Sequence, residues 1–90
     1  MFDKEKETIL LEDLMKEYGR YIASNYCLVS AYKYLHEADT AGADAGRRYH
    51  KELARWYFNF VTDKIFSAVQ GKNAINLYLY IRGKLVDDKG

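Results

Sequence analysis

Hydrophobic and polar positions along the chain form three blocks, separated by two short glycine-containing breaks. The breaks lie at Thr40 to Gly46 (Thr-Ala-Gly-Ala-Asp-Ala-Gly) and at Gly71-Lys72-Asn73. The 90 residues include no proline, so only glycine and polar clusters are available to interrupt a helix. The blocks are 3–38, 46–70 and 73–86, and no internal repeat or low-complexity tract joins them. Their periodicity predicts an all-α fold: a small three-helix bundle with a long N-terminal helix, in one domain spanning 1–90.

The first block reads as a single helix. At 100° per residue, Leu10, Leu11, Leu14, Met15, Tyr18, Tyr21, Ile22, Leu28, Val29 and Tyr32 share one half of the cylinder. Glu12, Asp13, Lys16 and Arg20 fall on the other half, with Glu12 and Lys16 spaced as an i,i+4 pair. Gly19 costs about 1 kcal/mol inside a helix and marks a bend or a close helix contact. Uninterrupted, this helix would run ~52 Å, beyond the ordinary length in a small domain. Such a helix either extends past its own domain or pairs with another chain.

The second block is also helical, with Asp44 or Thr40 as N-cap and Gly71 as the C-terminal stop. Arg48, Lys51, Arg55, Asn59 and Thr62 form its polar stripe. Leu53, Tyr57, Phe60, Val61 and Ala68 lie opposite, Trp56, Phe58 and Ile65 flank them, and Phe66 falls on the polar stripe. The apolar arc is wider than one neighbouring helix requires, so this helix touches two.

The third block admits two readings. Ile75, Leu77, Leu79 and Ile81 alternate with Asn76, Tyr78, Tyr80 and Arg82, the period of a strand. A lone strand has no partner for its backbone groups, and the rest of the chain offers none. As a helix, the block gathers Ala74, Leu77, Tyr78, Ile81 and Leu85 on one side, and this is the preferred reading. A strand over 73–86 would have to pair across a dimer axis or join a partner's sheet.

Composition sharpens this picture. A 90-residue domain buries only about 60% of its unfolded surface, yet 49% of residues are hydrophobic and 16% aromatic, nine of them tyrosine. Tyrosine pairs a large apolar ring with a hydroxyl that needs water or a partner, which suits interfaces. Self-association as a homodimer, or a protein partner, is expected on that ground. The net charge of +1 gives no general support to nucleic-acid binding, where phosphate neutralisation supplies most of the affinity. Cys27 is the only cysteine, which excludes an internal disulfide and fits a reduced, cytoplasmic setting. The segment from Met1 to Glu7 lacks the apolar run of a signal peptide. No segment approaches the ~18 apolar residues of a membrane span, so no membrane partner is expected.

Candidate chemistry is sparse. Asn25 interrupts the series Leu14, Tyr18, Tyr21, Asn25, Leu28, Tyr32, Leu35, where a polar residue sets helix register and oligomer state. The alternative is an Asn bonded to a backbone carbonyl or a tyrosine hydroxyl within one monomer. His36 and His50, with Glu37, Asp39 and Glu52 near them, lack the His-x-x-x-His or Glu-x-x-His spacing of helical ligation. They read as hydrogen-bonded histidines, and no metal or other cofactor is expected. Lys64, in the apolar arc of the second helix, reads as a snorkelling cation rather than a catalytic amine. Cys27 falls on the polar side of the first helix as an ordinary thiol. The serines Ser24, Ser30 and Ser67 stand in no nucleophile arrangement.

One charged cluster stands out. Arg47, Arg48, Lys51 and Arg55 form a basic patch at the start of the second helix, where the helix dipole disfavours cations. An Arg48–Glu52 i,i+4 pair offsets part of that charge. The patch suits an anionic contact, and the alternative is a plain solvated face. Catalysis in a helical dimer of this size needs several inward-facing Arg and Lys residues, and the first helix supplies only Arg20. The sequence therefore points to a non-enzymatic protein–protein interaction module. Its expected contact set is Arg48, Arg55, Trp56 and Tyr57, since Trp, Tyr and Arg dominate binding hot spots. A helical nucleic-acid-binding regulator using the basic patch is the second reading. In type the chain resembles small accessory proteins of bacteria, phages or mobile elements, some of which inhibit or regulate a host complex. That likeness rests on size and composition and on no motif.

Overall fold

Gly19 divides what the periodicity predicts as one helix. The structure, a computed structural model, describes residues 2–87 and contains four α-helices rather than three. They are α1 (Lys4–Tyr18), α2 (Arg20–Thr40), α3 (Asp44–Lys64) and α4 (Lys72–Asp87), with a 3₁₀ turn at Phe66–Ala68. Gly19 has φ +94°, a conformation that side chains with a Cβ adopt only under strain. Its N–H donates to the Met15 carbonyl at 3.0 Å, and its own carbonyl accepts from the Ala23 N–H at 3.2 Å. One residue thus closes α1 and opens α2, and the expected ~52 Å rod gives way to a body of 38 × 30 × 18 Å.

The helix ends follow local chemistry. Asp3 caps α1, its carboxylate accepting from the Glu5 and Lys6 N–H groups at 3.1 Å. At α3 the cap position is Ala43, with no side-chain cap bond. The expected caps are used otherwise. Asp44 pairs with Arg47 at 2.9 Å, and the Thr40 hydroxyl bonds back to the His36 and Glu37 carbonyls. Helix α3 also stops at Lys64 rather than at Gly71. Ile65 turns into the core, and the carbonyl of Ala68 accepts from the Ser24 hydroxyl at 3.3 Å, pinning the 3₁₀ turn to α2. Gly71, at φ +90°, then redirects the chain into α4.

Among the described residues there is no strand, so the strand reading of 73–86 is overturned. Helix α4 packs Ile81 and Leu85 into the core, with Ala74, Leu77 and Tyr78 against it. That is the helical face read from the sequence. The alternation of Ile75 and Leu79 with inward residues comes from apolar side chains that α4 leaves exposed.

Helix α2 lies at the centre, meeting α1, α3 and α4. Most of its buried residues are small, Ala23, Ser24, Cys27, Ala31 and Ala38, along with Leu28 and Leu35. Helix α3 brings large side chains to the same core, namely Leu53, Tyr57, Phe58, Phe60 and Val61. Small residues on one helix facing large ones on the other let the two interdigitate at interior density. Cys27, expected on a polar face, is 0% exposed within this core. Among the described residues, no helix is long and apolar enough to cross a membrane.

Candidate functional site

The small-residue inner face of α2 has a counterpart on its outer face. Tyr21, Ile22, Val29 and Tyr32 all point to solvent, Ile22 at 44% exposure and Val29 at 59%. Ile22, Asn25, Val29, Tyr32 and His36 follow the spacing 22, 25, 29, 32, 36, alternating three and four residues in the manner of a helix-pairing seam, with Tyr21 beside it. Asn25 is half-buried at the edge of this row. Its expected neighbours Leu28 and Leu35 point into the core instead, and its actual ones are Ile22, Val29 and Tyr32. On α4, Tyr80 extends the row sideways, its ring 5.8 Å from that of Tyr32. Lys84, one turn further along α4, pairs with Asp39 of α2 at 3.5 Å and holds the two helices in register there.

A second surface lies on α3. Phe2, Tyr49, Leu53 and Trp56 line a groove of about 340 Å³, with Lys4, Glu52, Arg55 and Asn59 around them. Phe2 sits edge-on to Trp56 at 5.3 Å and to Tyr57 at 5.9 Å. The Phe2 N–H donates to the Tyr49 hydroxyl at 3.2 Å, fixing the chain start over the groove. Of the expected contact set, the structure brings Arg55 and Trp56 together here, while Arg48 is exposed on the outer face of α3.

Tyr57 departs from that expectation. It is 3% exposed, and its hydroxyl donates to Glu7 Oε2 beneath the groove. The same oxygen accepts from the Tyr26 hydroxyl at 3.2 Å. Burial first, then the Glu7 carboxylate, raises the pKa values of both Tyr57 and Tyr26. Tyr34 stacks on Tyr57 at 5.9 Å and on His50 at 6.1 Å, and its own pKa rises through burial and the nearby Glu37 charge. These groups form a packed polar layer that ties α1, α2 and α3 together. Tyr57 therefore belongs to the core and not to a contact surface.

The remaining candidates resolve in the same way. Arg47 is engaged by Asp44, and Arg48, Lys51 and Arg55 lie along one side of α3. Among the described residues neither Arg48 nor Arg55 has a carboxylate partner, so the expected Arg48–Glu52 pair is absent. Lys51 is half-buried. His50 bonds the Gly46 carbonyl through Nδ1 at 2.8 Å and meets Glu37 through Nε2 at 3.2 Å. His36 is exposed. No group of three or more His, Cys, Asp or Glu is placed to hold a metal ion among the described residues. Lys64 stands at the end of α3 with its amine 5.9 Å above the Phe60 ring, exposed rather than within the apolar arc.

Phe2, Tyr49 and Glu7 had no place in the sequence-derived sites. Phe2 offered a signal, being the one aromatic residue in a charged segment. Glu7 offered none, because its partners lie 19 and 50 residues away. Compared with protein-family models, curated proteins and solved structures, the chain finds no match.

Proposed function

We propose that this chain is a non-enzymatic protein-interaction module whose helix faces do the work, with a second copy of itself among its partners. One observation carries the reading. Helix α2 gives its small residues to the core and turns Tyr21, Ile22, Val29 and Tyr32 outward. Burying a Val or Ile side chain is worth about 1.5–3 kcal/mol, so this arrangement forgoes stability in the monomer. Association recovers it. The groove at Trp56, with Arg55 and Lys4 at its edge, supplies a second face. It suits an apolar anchor from a partner that carries acidic residues beside it. By occupying such a surface on a larger complex, a chain this small acts as a regulator or inhibitor.

The test is solution mass by light scattering for the wild type and for Val29→Glu, at two protein concentrations and two salt concentrations. An oligomer in the wild type that Val29→Glu disperses, at both salts, supports the reading. A wild-type monomer throughout, or an oligomer indifferent to Val29→Glu, counts against it.

A second reading, nucleic-acid binding, has the stripe of Arg48, Lys51 and Arg55 in its favour. Two phosphate contacts, from Arg48 and Arg55, would give a log–log salt slope of about −2. A duplex oligonucleotide titration at two salt concentrations separates that reading from the first.

A further inference from the structure

We infer that two copies of this chain pair through the outer face of α2 in antiparallel orientation, around a two-fold axis at Val29. The inference rests on the interaction-module reading and adds the occupant, the orientation and the register.

Three features of α2 lead there. The outward row 22, 25, 29, 32, 36 has its ends seven residues to either side of Val29 and its inner members four before and three after, so a two-fold axis at Val29 lays the row on its own copy to within one residue. Val29 then meets the second copy's Val29, Ile22 meets His36, and Asn25 falls level with Lys33, one residue from Tyr32. Neither the Asn25 amide nor the Tyr32 hydroxyl has a hydrogen-bond partner among the described residues, and across the axis each is within the other's reach. Asn25 thereby keeps its expected place as the register residue, now on the outward face.

Charge favours antiparallel over parallel. Arg20 is the charged residue at the start of α2, and Glu37 and Asp39 lie near its end. Antiparallel pairing sets Arg20 of one copy beside the acidic end of the other, with the two helix dipoles opposed. Parallel pairing would stack Asn25, Lys33 and His36 each on its own copy.

Area fits as well. Aromatic side chains carry roughly 150–250 Å² each, so the half-exposed Tyr21, Tyr32 and Tyr80 together offer on the order of 300 Å². Ile22, Val29 and the polar positions between them bring the face toward the ~800 Å² per partner of a standard interface. A 21-residue helix, ~31 Å long, spans that footprint.

Single cysteines test the register, with the wild type as control because Cys27 is fully buried. Under mild oxidation Val29→Cys should give a disulfide-linked dimer. Asn25→Cys alone should not, because two-fold-related positions 25 lie ~12 Å apart along the seam, beyond disulfide reach. A mixture of Asn25→Cys and Tyr32→Cys chains should cross-link. Self-linking of Asn25→Cys, or failure of Val29→Cys, would overturn the antiparallel register. The two failures separate cleanly. An oligomer that Val29→Glu disperses but that gives the wrong cross-links removes the register alone, whereas a monomeric wild type removes the interaction face itself.

Discussion

The Tyr57 hydroxyl donates to Oε2 of Glu7, fifty residues away in sequence, and so binds α3 to α1 through a carboxylate shared with Tyr26 of α2. A hydrogen bond to a charged group contributes about 1.5–3 kcal/mol net. Tyr57→Phe removes that bond while keeping the ring that stacks on Tyr34. The expected outcome in urea unfolding is a loss of about 1.5–3 kcal/mol with the denaturant slope unchanged.

Alkaline pH should weaken the fold. Burial pushes the Cys27 thiol up from 9.0 to about 12, with the Glu7 charge adding to it. Burial and the Glu7 hydrogen bond raise Tyr57 well above its ordinary 10.0. Both groups are neutral when protonated and hold their protons longer folded than unfolded. Their contribution is therefore complete below about pH 9 and falls away above it, each costing up to ~1.4 kcal/mol per pH unit. Thermal melts between pH 7 and 11 check this. A flat profile from pH 9 to 11 would contradict the burial of these two groups.

Two glycines should respond in opposite directions. Gly19→Ala places a Cβ at φ +94°, with no atom nearby to crowd it, so backbone strain alone should cost about 1–2 kcal/mol. Gly83 lies within α4 with open space around its Cα. Gly83→Ala should stabilise by up to ~1 kcal/mol through helix propensity. Chemical denaturation of both variants checks the pair.

The two faces of α2 should behave unlike each other under mutation. Ala31→Leu inserts volume on the buried face of α2 and should cost about 1–3 kcal/mol. Val29→Glu alters the exposed face and should change monomer stability by no more than ~0.5 kcal/mol. Dilute-solution denaturation, below the range where copies associate, distinguishes them. The Cys27 thiol, on the buried face, should react with an aromatic disulfide reagent only as fast as the chain unfolds.

Much of this fold was legible where one helix carried a single strong period. The buried face of α3 and the inward residues of α4 follow from sequence spacing, because large apolar residues mark them. Helix α2 misleads the same method. Beside Leu28 and Leu35, its core contact is made by Ala23, Ser24, Cys27 and Ala31, which weigh little in a hydrophobic pattern, while Tyr21, Ile22, Val29 and Tyr32 face out. Reading 3–38 as one helix compounded the error, since the turn at Gly19 resets the helical phase. The groove at Trp56 was half legible through Arg55 and Trp56. Its other wall, Phe2 and Tyr49, depends on a fold-back over 47 residues that no local pattern encodes.

The most direct test of the central claim, that the outer face of α2 binds protein, is hydroxyl-radical footprinting of tyrosines across a dilution series. With self-pairing at this face, oxidation of Tyr21 and Tyr32 should fall as concentration rises, while Tyr49, in the α3 groove, stays constant as the internal control. Equal oxidation of Tyr21 and Tyr32 at every concentration would contradict the account.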